Sequence, residues 1–205
     1  MSHRFIIAST GASGAEFFLR LLHRLLPIAG NSDVIVSENY YKVLAEECEI
    51  HLGEPSLKGL IELAEKKFGA TARIHRMNFC DIRDIGARAA SGSVSYSGMV
   101  ILPCSMKTLA AIAHGLSQNL IERAADVCLK EKRKLIICPR ETPLSIVHLK
   151  NMLALAESGA VVMPISPGYY HKPQNLVELF DFMVDRIFAH LKISDAIMQS
   201  WRDEE

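Results

Sequence analysis

Residues 123–143 read RAADVCLKEKRKLIICPRETP. Arg123 and Lys130 stand seven residues apart, two turns on one face of an expected helix. The apolar run 135–138 reads as a short strand, and Arg140, Glu141, Thr142 and Pro143 follow it directly. Three cations and one carboxylate are therefore expected at the carboxyl end of a buried strand, where open α/β sheets bind ligands. Phosphate is the natural guest of such cations, and a carboxylate beside it suits proton transfer. The other reading of Arg123 and Lys130 is as helix-surface charges that pair with Asp126 and Glu122.

Further candidates sit in short polar turns. Gly11 and Gly14 flank Ala12 and Ser13, so the backbone can approach a ligand closely and the next helix can aim its free N–H groups at an anion. The spacing is neither G-x-G-x-x-G nor a Walker loop, and a tight strand-to-helix turn explains it as well. Ser37 and Ser105 each follow an apolar run, as helix caps or as ligand contacts. Cys104 stands beside Ser105 with no neighbour that would activate it, and reads as a small structural residue. Glu47 lies in AEECE, which also reads as a solvated acidic run. Tyr169 and Tyr170 are loop packing residues or the walls of a pocket.

The elements that must position these residues alternate. Strands are expected at 4–9, 33–37, 72–75, 99–103, 135–138 and 161–163. Helices are expected at 15–26, 38–47, 57–68, 105–114, 119–131 and 174–191. The run MVILP at 99–103 lacks polar alternation, which suits a parallel strand covered on both faces. Residues 81–96, with Ser91-Gly92-Ser93, read as a long functional loop. The pattern predicts one doubly wound, mostly parallel α/β sheet with helices on both faces, a single domain over 1–205 with a tail from about 192.

Composition narrows the function. The 205 residues carry 23 Lys plus Arg against 23 Asp plus Glu, which removes the electrostatic case for a nucleic-acid binder. Five cysteines without a C-x-x-C pair argue against a disulfide framework or structural zinc, and favour a reducing cytoplasm. No apolar run is long enough for a membrane span.

TGASG, SGS, LPCSMKTLA, NLIERAADVCLKEKRKLIICPRETP, HLKNM and PGYYHKP occur in this order. Together they resemble the UbiX-type flavin prenyltransferase family along essentially the whole chain. The resemblance implies a Rossmann-like (flavodoxin-like) fold and binding of FMN. It implies transfer of a dimethylallyl group from dimethylallyl phosphate to N5 of reduced FMN, ring closure at C6, and delivery of prenylated FMN to a UbiD-type decarboxylase. It also implies a homododecamer with active sites shared between subunits. Gly11, Ala12, Ser13, Ser37, Ser105, Met106, Thr108 and Arg123 match FMN-contacting positions. Lys130, Arg140, Tyr170 and Arg186 match the donor-phosphate set, Arg186 from a neighbouring subunit, and Ser91 and Gly92 match the loop near the prenyl chain. Glu141 matches the acid–base residue; Ser13 and Glu47 match positions that assist proton movement. Some members of the family place a tryptophan in the loop before SGS; here the region reads Asp84-Ile85-Gly86-Ala87, and the only tryptophan is Trp201. No D-D-x-x-D-like magnesium cluster occurs, so a monophosphate donor and metal-independent transfer are expected. The alternatives are an FMN-dependent cysteine decarboxylase of the same fold and a non-catalytic FMN carrier.

Overall fold

Strand β1 (Phe5–Ser9) is apolar except for its last residue, and every residue in it is buried. A strand so covered on both faces belongs inside a parallel sheet. The computed structural model, which describes residues 4–50, 55–71 and 77–194, places it there. After β1 come α1 (Ala15–Leu25), β2 (Asp33–Val36), α2 (Glu38–Cys48), α3 (Leu57–Phe68), β3 (Asn78–Cys80) and β4 (Gly98–Cys104). Then follow α4 (Met106–Ala113), α5 (Leu120–Lys130), β5 (Leu135–Pro139), α6 (Ile146–Glu157), β6 (Val161–Val162) and α7 (Leu176–Leu191). The strand order is β3-β2-β1-β4-β5-β6, and every pairing is parallel. This is the 3-2-1-4-5-6 arrangement, whose connections diverge between β1 and β4.

Alternation along the strands splits the core into two layers. Ile7, Val34, Val100 and Ile136 pack under α1, α2, α3 and α7. Ile6, Ile35, Ile101 and Ile137 pack under α4 and α5. An ion cluster joins α1 to α7: Arg20 Nε and Nη2 each lie 2.8 Å from Asp181, and Arg24 Nη1 lies 2.6 Å from Asp185.

Two elements depart from the expectation. The third strand is Asn78–Cys80, a half-buried edge strand, whereas the expected strand at 72–75 lies outside the described residues. Helix α6 was not foreseen. It buries only Asn151 and Leu155 while Ile146, Val147, Leu149 and Leu153 face outward, so no apolar stripe against a polar face marks it. Among the described residues no helix is long and apolar enough to cross a membrane.

Candidate active site at the carboxyl edge of the sheet

Thr10 closes β1 and staples the divergence point. Its N–H and its hydroxyl both donate to the Pro103 carbonyl, at 3.1 and 3.2 Å, and its Oγ1 accepts from the Ser105 N–H at 2.7 Å. The ends of β1 and β4 are thereby locked together. Gly11 then passes so close to α2 that a Cβ there would lie 2.4 Å from Asn39 Cβ. A glycine is required at this point by space rather than by backbone angle.

Two clefts open beside this staple and share Gly11 and Ser105. The first has a cavity volume of about 360 Å³ and is polar, with Ser37, Asn39, Lys107, Thr108 and Asn119 in its wall. The amino ends of α2, α4 and α5 converge on it. Ser37, Ser105 and Asn119 cap those helices, accepting from Tyr40, Thr108 and Glu122 N–H at 3.3, 3.4 and 3.1 Å. Both expected roles of the two serines thus coincide: each caps a helix and each lines the cleft. Three helix amino ends with a lysine at the rim favour an anion such as phosphate.

The second cleft, about 410 Å³, has Ala12, Val43 and Met106 as apolar wall and Ser13, Arg140 and Glu141 among its polar residues. A flat conjugated ring fits an apolar wall with a few polar groups around it. The Arg140 Nε is buried and has no hydrogen-bond partner among the described residues. A buried guanidinium donor without an acceptor is costly unless an anion completes it. Glu141 next to it accepts from the Thr142 N–H at 3.0 Å and is otherwise exposed.

The amino end of α1 does not await an anion, as the TGASG turn had suggested. Gly14 at the cap has φ +101 and no side chain, and Glu47 reaches across from α2 instead. Its carboxylate accepts from Gly14 N–H at 2.9 and 3.0 Å and from Ala15 N–H at 2.9 Å. The Gly14 and Ala15 N–H groups already hold a carboxylate from the chain itself.

The expected cluster of three cations at one strand end requires correction. Helix α5 starts at the carboxyl edge, where Leu120 N–H donates to Ile82 at 2.8 Å, and ends where the chain enters the amino end of β5. Arg140 and Glu141 lie beyond the carboxyl end of β5; Lys130 lies at the far end of α5, about 15 Å along the helix from its start at that edge. There Lys130 pairs with Glu131 and packs beside Gly92 of the SGS turn. Arg123, one turn inside α5, holds Asp126 at 3.1 Å and lines neither cleft. Tyr170 belongs to the segment after β6, its ring edge-on to Phe182 at 5.7 Å. Arg186 is exposed on α7 in the half that leads to the amino edge, where Leu191 packs against Gly98. One chain therefore presents two groups: Gly11–Ser13, Ser37, Ser105, Met106, Thr108, Arg140 and Glu141 at one edge, and Ser91, Gly92 and Lys130 at the other.

Burial pushes the thiols of Cys104 and Cys138, at the ends of β4 and β5, well above their ordinary range, so both stay protonated and structural. Thr10, Asn39 and Asn119 were not singled out from sequence. The signal for Asn119 was present, as a cap residue ahead of an apolar-periodic run with Glu122 three residues on.

Residues 1–201 match the protein family described as Flavoprotein. The flavin prenyltransferase UbiX of Synechocystis sp. is 40% identical over 205 residues, 98% of this chain and 97% of that one. The crystal structure of AnUbiX (PadA1) in complex with FMN and dimethylallyl pyrophosphate gives a TM-score of 0.85 at 33% identity, covering 100% of both chains. A dodecameric FMN-dependent UbiX-like decarboxylase from Escherichia coli gives 0.81 at 32% identity, over 97% of this chain and 99% of that one.

Proposed function

We propose a residue-by-residue account for this chain, which belongs to the UbiX-type flavin prenyltransferase family. It transfers a dimethylallyl group to reduced FMN. The polar cleft with its three helix amino ends takes the FMN phosphate, and the Ala12–Val43–Met106 wall takes the flavin ring. The observation that carries the reading is Arg140: a buried guanidinium donor, without a hydrogen-bond partner among the described residues, beside Glu141 in the cleft that holds this wall. A leaving phosphate supplies the acceptor it lacks.

In the reaction the donor's C–O bond breaks, phosphate leaves with the electron pair, and the allylic carbon bonds to flavin N5, whose proton passes to the departing phosphate. Charge develops on both fragments. Arg140 and Lys130 stabilise the negative one and Tyr170 donates to it, while Arg186 adds a further cation. Closing the ring at C6 adds a proton at the alkene and removes one from C6. Glu141 exchanges these protons with the bound phosphate, and Ser13 serves the same traffic from the β1–α1 turn. Glu47 acts there through the turn it holds.

Because Lys130, Ser91 and Gly92 stand at the opposite edge from Arg140, a neighbouring copy supplies them in a homo-oligomer. Arg186 reaches the same donor from a further copy. Arg123 turns from Asp126 to the FMN phosphate. The donor is dimethylallyl monophosphate, the product passes to a UbiD-type decarboxylase, and the single domain works in the cytoplasm, where its cysteines stay free.

Anaerobic incubation with reduced FMN and dimethylallyl phosphate, read by mass spectrometry, tests the reading. A flavin one five-carbon prenyl unit heavier supports it. Unchanged flavin with both the monophosphate and the diphosphate removes it.

A further inference from the structure

We infer that Arg133 is a positioning residue: through the Gly92 carbonyl it fixes the Ser91–Ser93 turn against Lys130, so that turn and ammonium reach a neighbouring copy's cleft as one preset unit. The inference rests on the two-copy reading above and adds a residue to it.

The chain reverses immediately after Lys130. Lys132 takes a left-handed conformation at φ +53, and Arg133 N–H donates back to the Cys128 carbonyl at 2.8 Å. The Arg133 Nη2 then donates to the Gly92 carbonyl, 41 residues away in sequence. A Cβ at Gly92 would lie 2.7 Å from Glu131 Oε1 and 3.1 Å from Lys130 Nζ, so the turn lies against the ends of those two side chains. The turn backbone thus rests directly on the Lys130–Glu131 pair, and Lys130 beside Glu131 holds that carboxyl below its usual range. Inside the turn the Ser91 and Ser93 hydroxyls are 2.9 Å apart, and Ser93 N–H donates to Ser91 Oγ at 3.3 Å.

The rest of the loop is tied down independently. Arg88 Nε lies 2.8 Å from Asp33 Oδ2, and the Tyr96 hydroxyl donates to the same buried carboxylate. The two flanks of the turn are therefore anchored to β2, while among the described residues Arg133 supplies a side-chain hydrogen bond to the tip from outside the loop. A Ser-Gly-Ser tip left loose would have to be ordered when the donor binds, at the expense of affinity. Arg133 orders it beforehand through its Nη2, while its Nη1 is buried without a hydrogen-bond partner among the described residues.

The test uses the whole oligomer. Arg133→Ala is expected to raise KM for dimethylallyl phosphate about tenfold while kcat and FMN affinity change less than about twofold. Donor affinity measured calorimetrically on enzyme loaded with oxidised FMN, where no turnover intervenes, closes a cycle with Lys130→Ala. Because Arg133 works through the turn and Lys130, its effect should largely vanish in the Lys130→Ala background. Full multiplication of the two losses, or equal loss of FMN and donor affinity, overturns the inference. If Arg133→Ala does not assemble, Ser93→Ala decides: KM for the donor rises severalfold with Arg133 intact, and an unmoved KM overturns the role. Wild-type enzyme that makes no prenylated flavin overturns the function reading and this inference together. Wild-type turnover with an unmoved KM in Arg133→Ala overturns this inference alone.

Discussion

The Glu47 carboxylate straddles the Gly14 N–H, with both oxygens within 3.0 Å of it, and so caps a helix from outside that helix. Among the described residues the other six α-helices each carry their own Ser or Asn cap. Helix α1 instead depends on α2, and the Gly11–Gly14 turn is held between them. Glu47→Ala should therefore cost about 1–2 kcal/mol in stability, read from the urea midpoint, as loss of a charged cap does. It should also weaken FMN binding, because the turn lines both clefts at Gly11. An unchanged midpoint would detach Glu47 from the turn.

Thr10 offers a second handle on the same geometry. Thr10→Val keeps the shape but removes the oxygen that the Ser105 N–H donates to. Leaving a buried N–H without an acceptor costs about 1–3 kcal/mol. The expected outcome is lower stability in denaturant together with weaker FMN binding by fluorescence titration, since Ser105 lines both clefts.

Arg140 and Glu141 are adjacent, yet their substitutions should fail differently. Arg140→Ala is expected to raise KM for dimethylallyl phosphate by about a hundredfold, the cost of one charge-assisted contact of about 3 kcal/mol, and to weaken FMN binding far less. Glu141→Gln should keep FMN and donor affinity and stall prenyl transfer in single-turnover assays. Equal loss of FMN and donor with Arg140→Ala, or normal turnover with Glu141→Gln, would contradict the assigned roles.

Burial pushes the thiols of Cys48 and Cys80 up to about 11. A raised thiol pKa means the neutral, unreactive form persists to higher pH. At pH 8 the thiolate population at each should be about a hundredfold lower than at an ordinary thiol, and alkylation by iodoacetamide correspondingly slow. Peptide mapping across pH 7–11 should show labelling that climbs only as pH approaches 11. Rapid labelling in the folded protein at pH 7 would contradict the burial.

Much of the fold was legible because apolar runs and breakers agreed. MVILP without polar alternation became β4, buried throughout, and Pro27 follows closely on the end of α1. Helix α6 was not legible, because its outward face is as apolar as its inward one, and β3 is three half-buried residues at an edge. The separation of Lys130 from Arg140 was available in principle: a helix between two parallel strands must run back from the carboxyl edge to the amino edge, so its last residue and the next strand's end cannot meet. The hold of Glu47 on Gly14 was not, since it depends on how α2 packs against α1.

Subunit complementation tests whether each site is built from two copies. Lys130→Ala and Arg140→Ala enzymes are each prepared, then dissociated and reassembled as a mixture, and prenylated FMN is quantified. If each site draws Arg140 from one copy and Lys130 from another, mixing should restore about a quarter of wild-type activity, from the sites that pair two intact groups. Activity that stays at the level of the separate variants, in mixtures shown by mass to contain both chains, would place both residues in the site of a single chain and contradict the account.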